Sequence, residues 1–424
     1  MSWTNEKRHP TISRVEIAHE VAQHTPICPH GRQYGCAGGH AQPAKHVDMA
    51  VALPEVQREF GTSASASTWL LTVFAVAAAV GHPLAGYLAD RLGSRRVLVT
   101  GLVVTGLGGL AAACVPTFLL LVVLRAVQAI GTSAAFPAGI SLLRMLDAQE
   151  GSGRPLSAAW LGAVAMSNNL AAALGPILSG AFVATFGWPA IFLANLPIAT
   201  AAAILVLRQF PADHANPGRN GDAPVRDRFA TLRGPLLSVY ARFAAACTVF
   251  FTGFFALPLW LIRWYGLGAV ETGAMMLPMV IASALTTPIA VRIVSLSGVG
   301  ATSILGAGGF CVGMGLLATV DAQSSLVVPL TAMVTLGASL ALSNLGLQVE
   351  LRDVASPSQF ATAAGLFQAA RFMGASLRAG LVGITIADDL LGLGVTAGFV
   401  GLALLVWAAS RSHARVGGTY ERHS

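Results

Sequence analysis

Apolar runs of about twenty residues follow one another along nearly the whole chain, and short polar loops separate most of them. A helix needs about 20 residues to cross the hydrocarbon core of a bilayer, so each run has the length of a membrane span. The pattern therefore predicts an all-helical protein that crosses a membrane many times. The predicted spans are residues 67–88, 97–115, 117–143, 156–184, 188–207, 238–262, 273–294, 302–320, 325–347, 361–386 and 390–410.

Composition and charge point to the same class of protein. Apolar residues make up 54% of the chain and charged residues only 11%, whereas a soluble protein carries about 25% charged residues. The net charge of +7 would suggest nucleic acid in a soluble protein, but here the arginines concentrate in alternate loops, and only Arg58 and Arg263 fall in the opposite set. Cytoplasmic loops carry an excess of Lys and Arg. We therefore expect the loop 86–96 to be cytoplasmic, the protein to lie in the cytoplasmic membrane, and no nucleic acid to bind.

The loop GYLADRLGSRR at 86–96 places one aspartate and three arginines between two apolar runs. Charged groups at such positions mark gates or ion pathways. Its glycines permit a tight turn and a close helix approach, and Asp90 can accept from the N-terminus of a neighbouring helix or pair with an arginine. Alternatively, the arginines only anchor the topology. The candidate gating residues are Gly86, Asp90, Arg91, Gly93, Arg95 and Arg96.

A weak internal repeat relates two parts of the chain. Residues 83–101 align without a gap with residues 288–306, and the second copy has Ser295 where the first has Asp90. The repeat predicts two six-helix halves, but residues 47–54 are too few to span a bilayer of about 30 Å, so the first helix is expected to be truncated or absent. The predicted segments are a polar tail 1–46, an N-terminal half 47–207, a cytoplasmic linker 208–234, a C-terminal half 235–410 and a cytoplasmic tail 411–424.

Several segments resemble, in order and spacing, motifs of the major facilitator superfamily and of its drug:proton antiporter branch. The resemblance covers about residues 47–410. It implies the major facilitator fold and the export of small amphipathic compounds in exchange for protons by alternating access. The segments are GYLADRLGSRR at 86–96, LRAVQAIG at 124–131, LGPILSG at 174–180 with FGWPAIFLANLP at 186–197, VDMAVALPEVQREFG at 47–61 and GLFQAARFMGASL at 365–377.

The resemblance also implies roles for individual residues. Asp90 would be a latch that breaks and reforms between the inward-open and outward-open states. Arg125 would lie near the proton path, with Gln128 in its network; the alternative is an arginine that snorkels to the interface. Asp48 would be the acidic residue of proton coupling, unless it is simply solvated.

A second set of residues concerns the gate in the predicted span 156–184 and the substrate cavity. Gly175, Pro176 and Gly180 would set the bend of the antiporter gate, or form a plain packing kink. Arg371 and Arg378, seven residues apart on one face of the predicted helix 361–386, favour an anionic ligand or a carboxylate partner. The polar and aromatic candidates also suit helix packing or contact with lipid. The candidate cavity residues are Asn168, Asn169, Phe251, Phe254 and Arg371.

The polar tail contains Cys28, His30, Cys36 and His40. These could ligate zinc, but their spacing matches no strong zinc pattern. We expect residues 1–46 to be disordered or non-native, the product of a misassigned start or an upstream frameshift, rather than a metal site.

The sequence contains no Ser/His/Asp set, metal cluster or nucleotide-binding loop, so we expect no enzyme, no cofactor and no metal. The expected partners are a small-molecule substrate, protons and membrane lipid, and the expected state is a monomer. Two alternatives stay open. One is a transporter of a specific metabolite, and the other is a non-transporting sensor or an inactive membrane protein.

Overall fold

In the computed structural model, the described residues are 48–67, 69–149, 158–210, 234–266, 269–320 and 325–384. Regular structure within these ranges is helical throughout, which confirms the predicted all-helical fold. The helices of the N-terminal half are α1 (Asp48–Phe60), α2 (Ala64–Ser67), α3 (Trp69–Leu92), α4 (Ser94–Ala112), α5 (Phe118–Thr132), α6 (Ala135–Gln149), α7 (Ala158–Phe186), α8 (Pro189–Leu193) and α9 (Asn195–Gln209). Those of the C-terminal half are α10 (Pro235–Tyr265), α11 (Ala269–Ala318), α12 (Val327–Val354) and α13 (Phe360–Ile384), with a 3₁₀ turn at Pro357–Gln359.

Seven helical stretches of the described residues are long and apolar enough to cross a membrane. The stretch Met275–Ala318 has 44 residues and would measure about 66 Å as a straight helix, roughly twice the thickness of the hydrocarbon core. It breaks at Gly298, whose φ of 76° is not helical, so α11 provides two spans in the places predicted at 273–294 and 302–320. The tail 1–46, most of the linker, the predicted span 390–410 and the tail 411–424 lie outside the described residues.

Local sequence explains where long helices begin and end. α10 starts with Pro235 at its first position, where the missing N–H costs nothing. It ends at Gly266, whose left-handed backbone (φ 58°) closes the helix in a conformation that favours glycine. The long apolar stretch between these two signals therefore forms one continuous helix.

The structure reproduces the internal repeat in its backbone. Gly93 and Gly298 occupy matching positions, and both have positive φ values, 100° and 76°. The next matching pair, Gly101 and Gly306, lets neighbouring helices approach closely. A side-chain carbon at Gly101 would lie 2.6 Å from the Gly131 carbonyl oxygen, and one at Gly306 would lie 3.1 Å from the Ser343 nitrogen. Both copies thus form the same turn followed by the same tight helix contact.

Four apolar clusters form the core of the described residues, and two of them combine both halves. In one, Ile140 and Leu161 pack with Phe360 and other C-terminal residues. In the other, Ala361 packs with Ala85 and its neighbours in α3 to α6. The remaining two clusters contain described residues of one half each.

The shared clusters lie at one end of the helices, which we call the loop end because the residues 86–96 lie there. Ala85 adjoins this loop, and α13 begins beside it at Phe360. The single-half clusters include Phe118, at the start of α5, and Leu317, at the end of α11, which belong to the opposite end. Among the described residues, the apolar core therefore joins the two halves at the loop end.

Candidate functional site

The carboxylate of Asp90 bridges the two halves at the loop end. Its Oδ1 accepts from the backbone N–H of Ala361 at 3.1 Å, and its Oδ2 accepts from the N–H of Thr362 at 2.7 Å and from the Thr362 hydroxyl at 2.6 Å. The first N–H groups of a helix lack partners within that helix, and its N-terminus favours negative charge. Asp90, near the end of α3, therefore caps α13 from the other half of the molecule.

Two glycines bring α3 and α13 close enough for this contact. A side-chain carbon at Gly86 would collide with the Ala361 carbonyl, and one at Gly365 would collide with the His82 carbonyl. The sequence predicted the close approach at Gly86 but not the matching glycine on α13. Each helix thus contributes one glycine to the crossing of α3 with α13, which we call the first crossing.

The arginines of the loop make contacts within the N-terminal half. The guanidinium carbon of Arg91 lies 4.7 Å from the ring centre of Tyr87, and Arg95 donates to the Leu207 carbonyl of α9 at 3.0 Å. Arg96 is exposed. These positions place Asp90, rather than Arg91 or Arg95, against the C-terminal half.

Arg144 of α6, which belongs to none of the sequence motifs, also reaches the other half. Its guanidinium carbon lies 4.5 Å from the ring centre of Phe360, the first residue of α13. A cation over an aromatic face is attracted to the ring. The only sequence signal for Arg144 was its membership of the predicted cytoplasmic arginines.

Arg125 and Gln128 lie together, as their spacing on α5 predicts. Nη1 of Arg125 donates to Oε1 of Gln128 at 2.6 Å, and only 9% of Arg125 is exposed. The guanidinium carbon also lies 4.4 Å from the ring centre of Phe74 on α3. Because a guanidinium stays charged, the amide oxygen and the aromatic face offset the cost of its burial.

The structure describes several other candidates only in part. Asp48 is the first residue of α1, and its side chain lies outside the described part. Gly180 is a described residue of α7, and nothing lies within 4 Å of the position that its side-chain carbon would take. The side chains of Gly175, Pro176, Asn168, Asn169 and Arg378 lie outside the description, although the backbone of each is helical.

The aromatic candidates of α10 pack mainly against one another. The ring centres of Phe251 and Phe254 are 6.3 Å apart, and both rings contact Phe250, which is buried in a core cluster of the C-terminal half. This arrangement agrees with the packing alternative. The partial exposure of Phe251 and Phe254 still leaves part of each ring accessible.

Arg371 lies part way along α13, next in the chain to Phe372. It is half-buried and interacts electrostatically with His82 of α3. The His82 ring itself lies 5.3 Å from the ring of Phe372, and its Nδ1 is 2.6 Å from the Ala78 carbonyl oxygen. The structure thus brings Arg371 beside the other half of the molecule.

A buried ion pair in the C-terminal half was missed entirely. Nη2 of Arg242 on α10 lies 2.5 Å from Oε1 of Glu350 on α12, and the two side chains are only 7% and 4% exposed. The predicted span 325–347 ended before Glu350, whereas α12 continues to Val354. The sequence did carry a signal for this pair. The cation lies near the start of the predicted span 238–262, and the carboxylate lies just after the end of the predicted span 325–347.

A second missed contact ties α1 to the turn between α7 and α8. The backbone N–H of Trp188 donates to Oε2 of Glu55 at 3.0 Å, and its indole N–H donates to Oε2 of Glu59 at 2.5 Å. Gly187 gives this turn its positive φ of 77°. The short helix α1 is therefore fixed to the N-terminal half by two carboxylates.

Metal binding finds no support in the part of the chain that the structure describes, where no group of three or more His, Cys, Asp or Glu residues could hold an ion. Cys28, His30, Cys36 and His40 lie outside the described residues. The zinc alternative and the expectation about residues 1–46 therefore stay predictions.

Comparison with known proteins gives one consistent family. The sequence model of the Major Facilitator Superfamily matches residues 49–378. The chain is similar to the uncharacterized MFS-type transporter YwoD of Bacillus subtilis, with 28% identity over 80% of this chain and 86% of that protein. It is also 33% identical to the multidrug resistance protein B homolog of Mycobacterium tuberculosis, over 42% of this chain and only 32% of that protein.

Solved structures show the same fold. The proton:xylose symporter XylE, bound to 6-bromo-6-deoxy-D-glucose, superposes with a TM-score of 0.66 over 86% of this chain and 91% of that chain, at 16% sequence identity. An identity this low supports the fold alone. Together the matches support a transport role and a multi-pass membrane protein, and they agree with the expectation that the chain is not an enzyme.

Proposed function

This chain belongs to the Major Facilitator Superfamily, and we propose that it exports small amphipathic compounds in exchange for protons by alternating access. Its cargo would bind between the two halves and be released on the other side when the halves rock against each other. The proposed location is the cytoplasmic membrane, with the loop end facing the cytoplasm. Exposed apolar side chains such as Val80, Leu119 and Leu285 would contact lipid, and the chain would act as a monomer.

The observation that carries the proposal is the contact between Asp90 and the N-terminus of α13. The carboxylate on one half accepts three hydrogen bonds from the other half, two from backbone N–H groups and one from the Thr362 hydroxyl, and all three can break together when the halves separate. Such charge-assisted bonds are stronger than neutral ones, yet they can exchange for water at a membrane surface. Asp90 would thus hold the loop end closed in one state and release it in the other.

The proposed proton path runs near Arg125, Gln128 and Asp48. Arg125 is a buried permanent cation, and a fixed positive charge favours the ionised form of any carboxylate nearby. Carrying one charge across a potential of 100 mV is worth about 2.3 kcal/mol, so proton entry can drive export of the substrate.

The proposed substrate class rests on two kinds of support. The printed name of the Mycobacterium tuberculosis relative refers to multidrug resistance. In this chain, Phe251 and Phe254 offer partly exposed rings, and Arg371 offers a cation near the interface between the halves. An apolar surface with few polar groups suits amphipathic compounds better than sugars.

The test is ethidium efflux from cells that express the full chain. We expect efflux that stops when a protonophore collapses the proton gradient, and that falls strongly in the variants Asp90→Asn and Arg125→Ala. Asp353→Asn is the matched control, because Asp353 is an exposed carboxylate paired with its neighbour Arg352. Efflux that withstands the protonophore, or that both variants leave unchanged, would contradict the proposed mechanism.

A further inference from the structure

The Arg242–Glu350 pair is unusual because it is buried inside one half. Of the described carboxylates, Glu350 alone belongs to the buried class. Removing two charges from water is costly, and breaking such a pair leaves an uncompensated charge. An ionisable residue within a membrane span is a functional-site hypothesis by default when its partner can be named. Asp90, by contrast, is only partly buried and faces the other half.

A small cavity adjoins the pair. It has a volume of about 20 Å³ and is lined by Arg242, by Ser303 of α11 and by Ser343 of α12, together with apolar side chains. A cavity needs roughly 10–15 Å³ and two or more polar partners to hold a water molecule. The guanidinium and the two hydroxyls provide those partners.

The cavity and the carboxylate share one face of α12. Ser343, Leu347 and Glu350 follow one another at spacings of four and three residues, which places them in a row along the helix. The row begins in the middle of the span and reaches Glu350 about one turn before α12 ends at Val354. A water molecule in the cavity would therefore lie between the middle of the C-terminal half and the carboxylate.

From this geometry we infer that Glu350 is a proton-binding site of the C-terminal half, with Arg242 as its counter-ion and the cavity as its water site. In the described state, Glu350 is paired with Arg242. When α10 and α12 move apart, a hydronium ion delivers a proton to Oε1 of Glu350 and a water molecule remains. Arg242 keeps its charge throughout, so the pair changes from neutral to singly positive. The proton leaves to water when the contact re-forms.

The surroundings of Glu350 contain few other ionisable groups. The helices that pack against α12 are α7, α10, α11 and α13, and α7 has no ionisable side chain. On α10, the phenol of Tyr240 lies in the same apolar cluster as the end of α12. Arg352 and Asp353 follow on α12 itself and pair with each other.

The remaining two helices carry the described cations Arg292, on α11, and Arg371, on α13. Arg292 of α11 is exposed, and Arg371 of α13 lies about three turns from the start of its helix. Arg242 is the cation that pairs with the carboxylate, and in this proposal its separation from Glu350 is the step that lets a proton bind. The inference rests on the proposed proton exchange for its biological meaning, but the titration of Glu350 can be measured without any substrate.

The first arm of the test is infrared spectroscopy of the purified full chain in lipid, titrated from neutral to mildly acidic pH. We expect a protonated-carboxyl band that is present in the wild type and in Asp353→Asn but absent in Glu350→Gln. The double variant Arg242→Gln/Glu350→Gln, which leaves no buried charge unpaired, should also lack the band and guards against misfolding of the single variant. A band that persists in both Glu350 variants, or a wild type without any such band, would overturn the inference.

The second arm separates the proton site from the transport function. In vesicles, Glu350→Gln should lose ethidium accumulation driven by a pH gradient, down to the level measured without a gradient, and should keep ethidium counterflow. Gradient-driven accumulation equal to that of Asp353→Asn would overturn the inference. If the wild type moves no ethidium while the Glu350 band titrates, the proposed drug transport fails for this probe and the proton site stands.

Discussion

Among the helix crossings that join the halves in the described residues, the internal repeat makes two comparable. In the first crossing, α3 meets α13; in the second, α11 meets α7. The aligned repeat matches Gly86 of α3 with Val291 of α11. In the second crossing, Gly162 of α7 makes room for Val291, since a side-chain carbon at Gly162 would lie 2.5 Å from its Cγ2. Close packing is thus achieved in both crossings.

The polar contacts differ between the two. Asp90 of the first crossing binds the N–H groups of α13 in the other half, whereas its counterpart Ser295 donates to the Arg292 carbonyl of its own helix at 2.8 Å. Steric packing holds two helices at a fixed separation, and the packed side chains have no other partner to which they can switch. A carboxylate can exchange its partners for water, so the first crossing is suited to switching, whereas the second is suited to serving as a packed pivot.

The largest expected effect comes from filling the space at the first crossing. Gly86→Val would drive a branched side chain against the backbone of α13, and overpacking costs about 1–3 kcal/mol even where side chains can move aside. We expect ethidium efflux to be abolished. Gly308→Val is the matched control, because a side-chain carbon at Gly308 of α11 would have nothing within 4 Å. If Gly86→Val and Gly308→Val show equal efflux, the proposed role of the first crossing is refuted.

Removing the charge of Asp90 should have the next largest effect. Asp90→Asn keeps the shape but weakens the bonds to α13, and hydrogen bonds to charged groups are worth about 1.5–3 kcal/mol. The equilibrium between closed and open loop ends should shift by about tenfold to a hundredfold toward open. Cysteine cross-linking between α3 and α13 would measure the shift, and unaltered yields would show that the charge is irrelevant.

A smaller effect is expected when only one bond to Asp90 is removed. Thr362→Val deletes the hydroxyl donor but leaves both backbone N–H donors in place, so the loss should be about 1 kcal/mol. The control is Thr331→Val, because the Thr331 hydroxyl bonds only to its own helix at the Val328 carbonyl. Equal cross-linking yields in the two variants would argue against the hydroxyl contact.

The smallest effect should come from the second crossing. Ser295→Ala removes a hydroxyl that is exposed and bonded within its own helix, and such surface changes usually lie within about 0.5 kcal/mol. We expect normal transport and normal cross-linking. A loss as large as that of Asp90→Asn would mean that both crossings switch, and the distinction between them would disappear.

Prediction from the sequence succeeded best for features that local rules determine. Spacing placed Arg125 beside Gln128, and the glycine turn at Gly93 had its counterpart at Gly298 in the repeat. The family and the fold also follow from motif order. These features depend on residues close together in the chain or on the order and repetition of motifs along it.

Contacts set by tertiary docking were beyond prediction. A helix N-terminus was one expected partner of Asp90, but Thr362 lies 272 residues away, and only the docking of the two halves selects α13. The pair Arg242–Glu350 was missed because hydropathy ended the predicted span 325–347 before Glu350, whereas the helix continues to Val354. The predicted roles of Asp48 and of Gly175 and Pro176 rest on residues whose side chains lie outside the description, so they stay predictions.

The central claim is that Asp90 holds the loop end closed, and a distance measurement tests it most directly. Spin labels at Leu92 and Ser356, both exposed and on opposite halves, can be placed in the full chain after its 5 native cysteines are replaced. Pulsed electron paramagnetic resonance should then show a dominant short distance in the otherwise native chain and a dominant longer one in Asp90→Asn. The same distance distribution in both proteins would contradict the account.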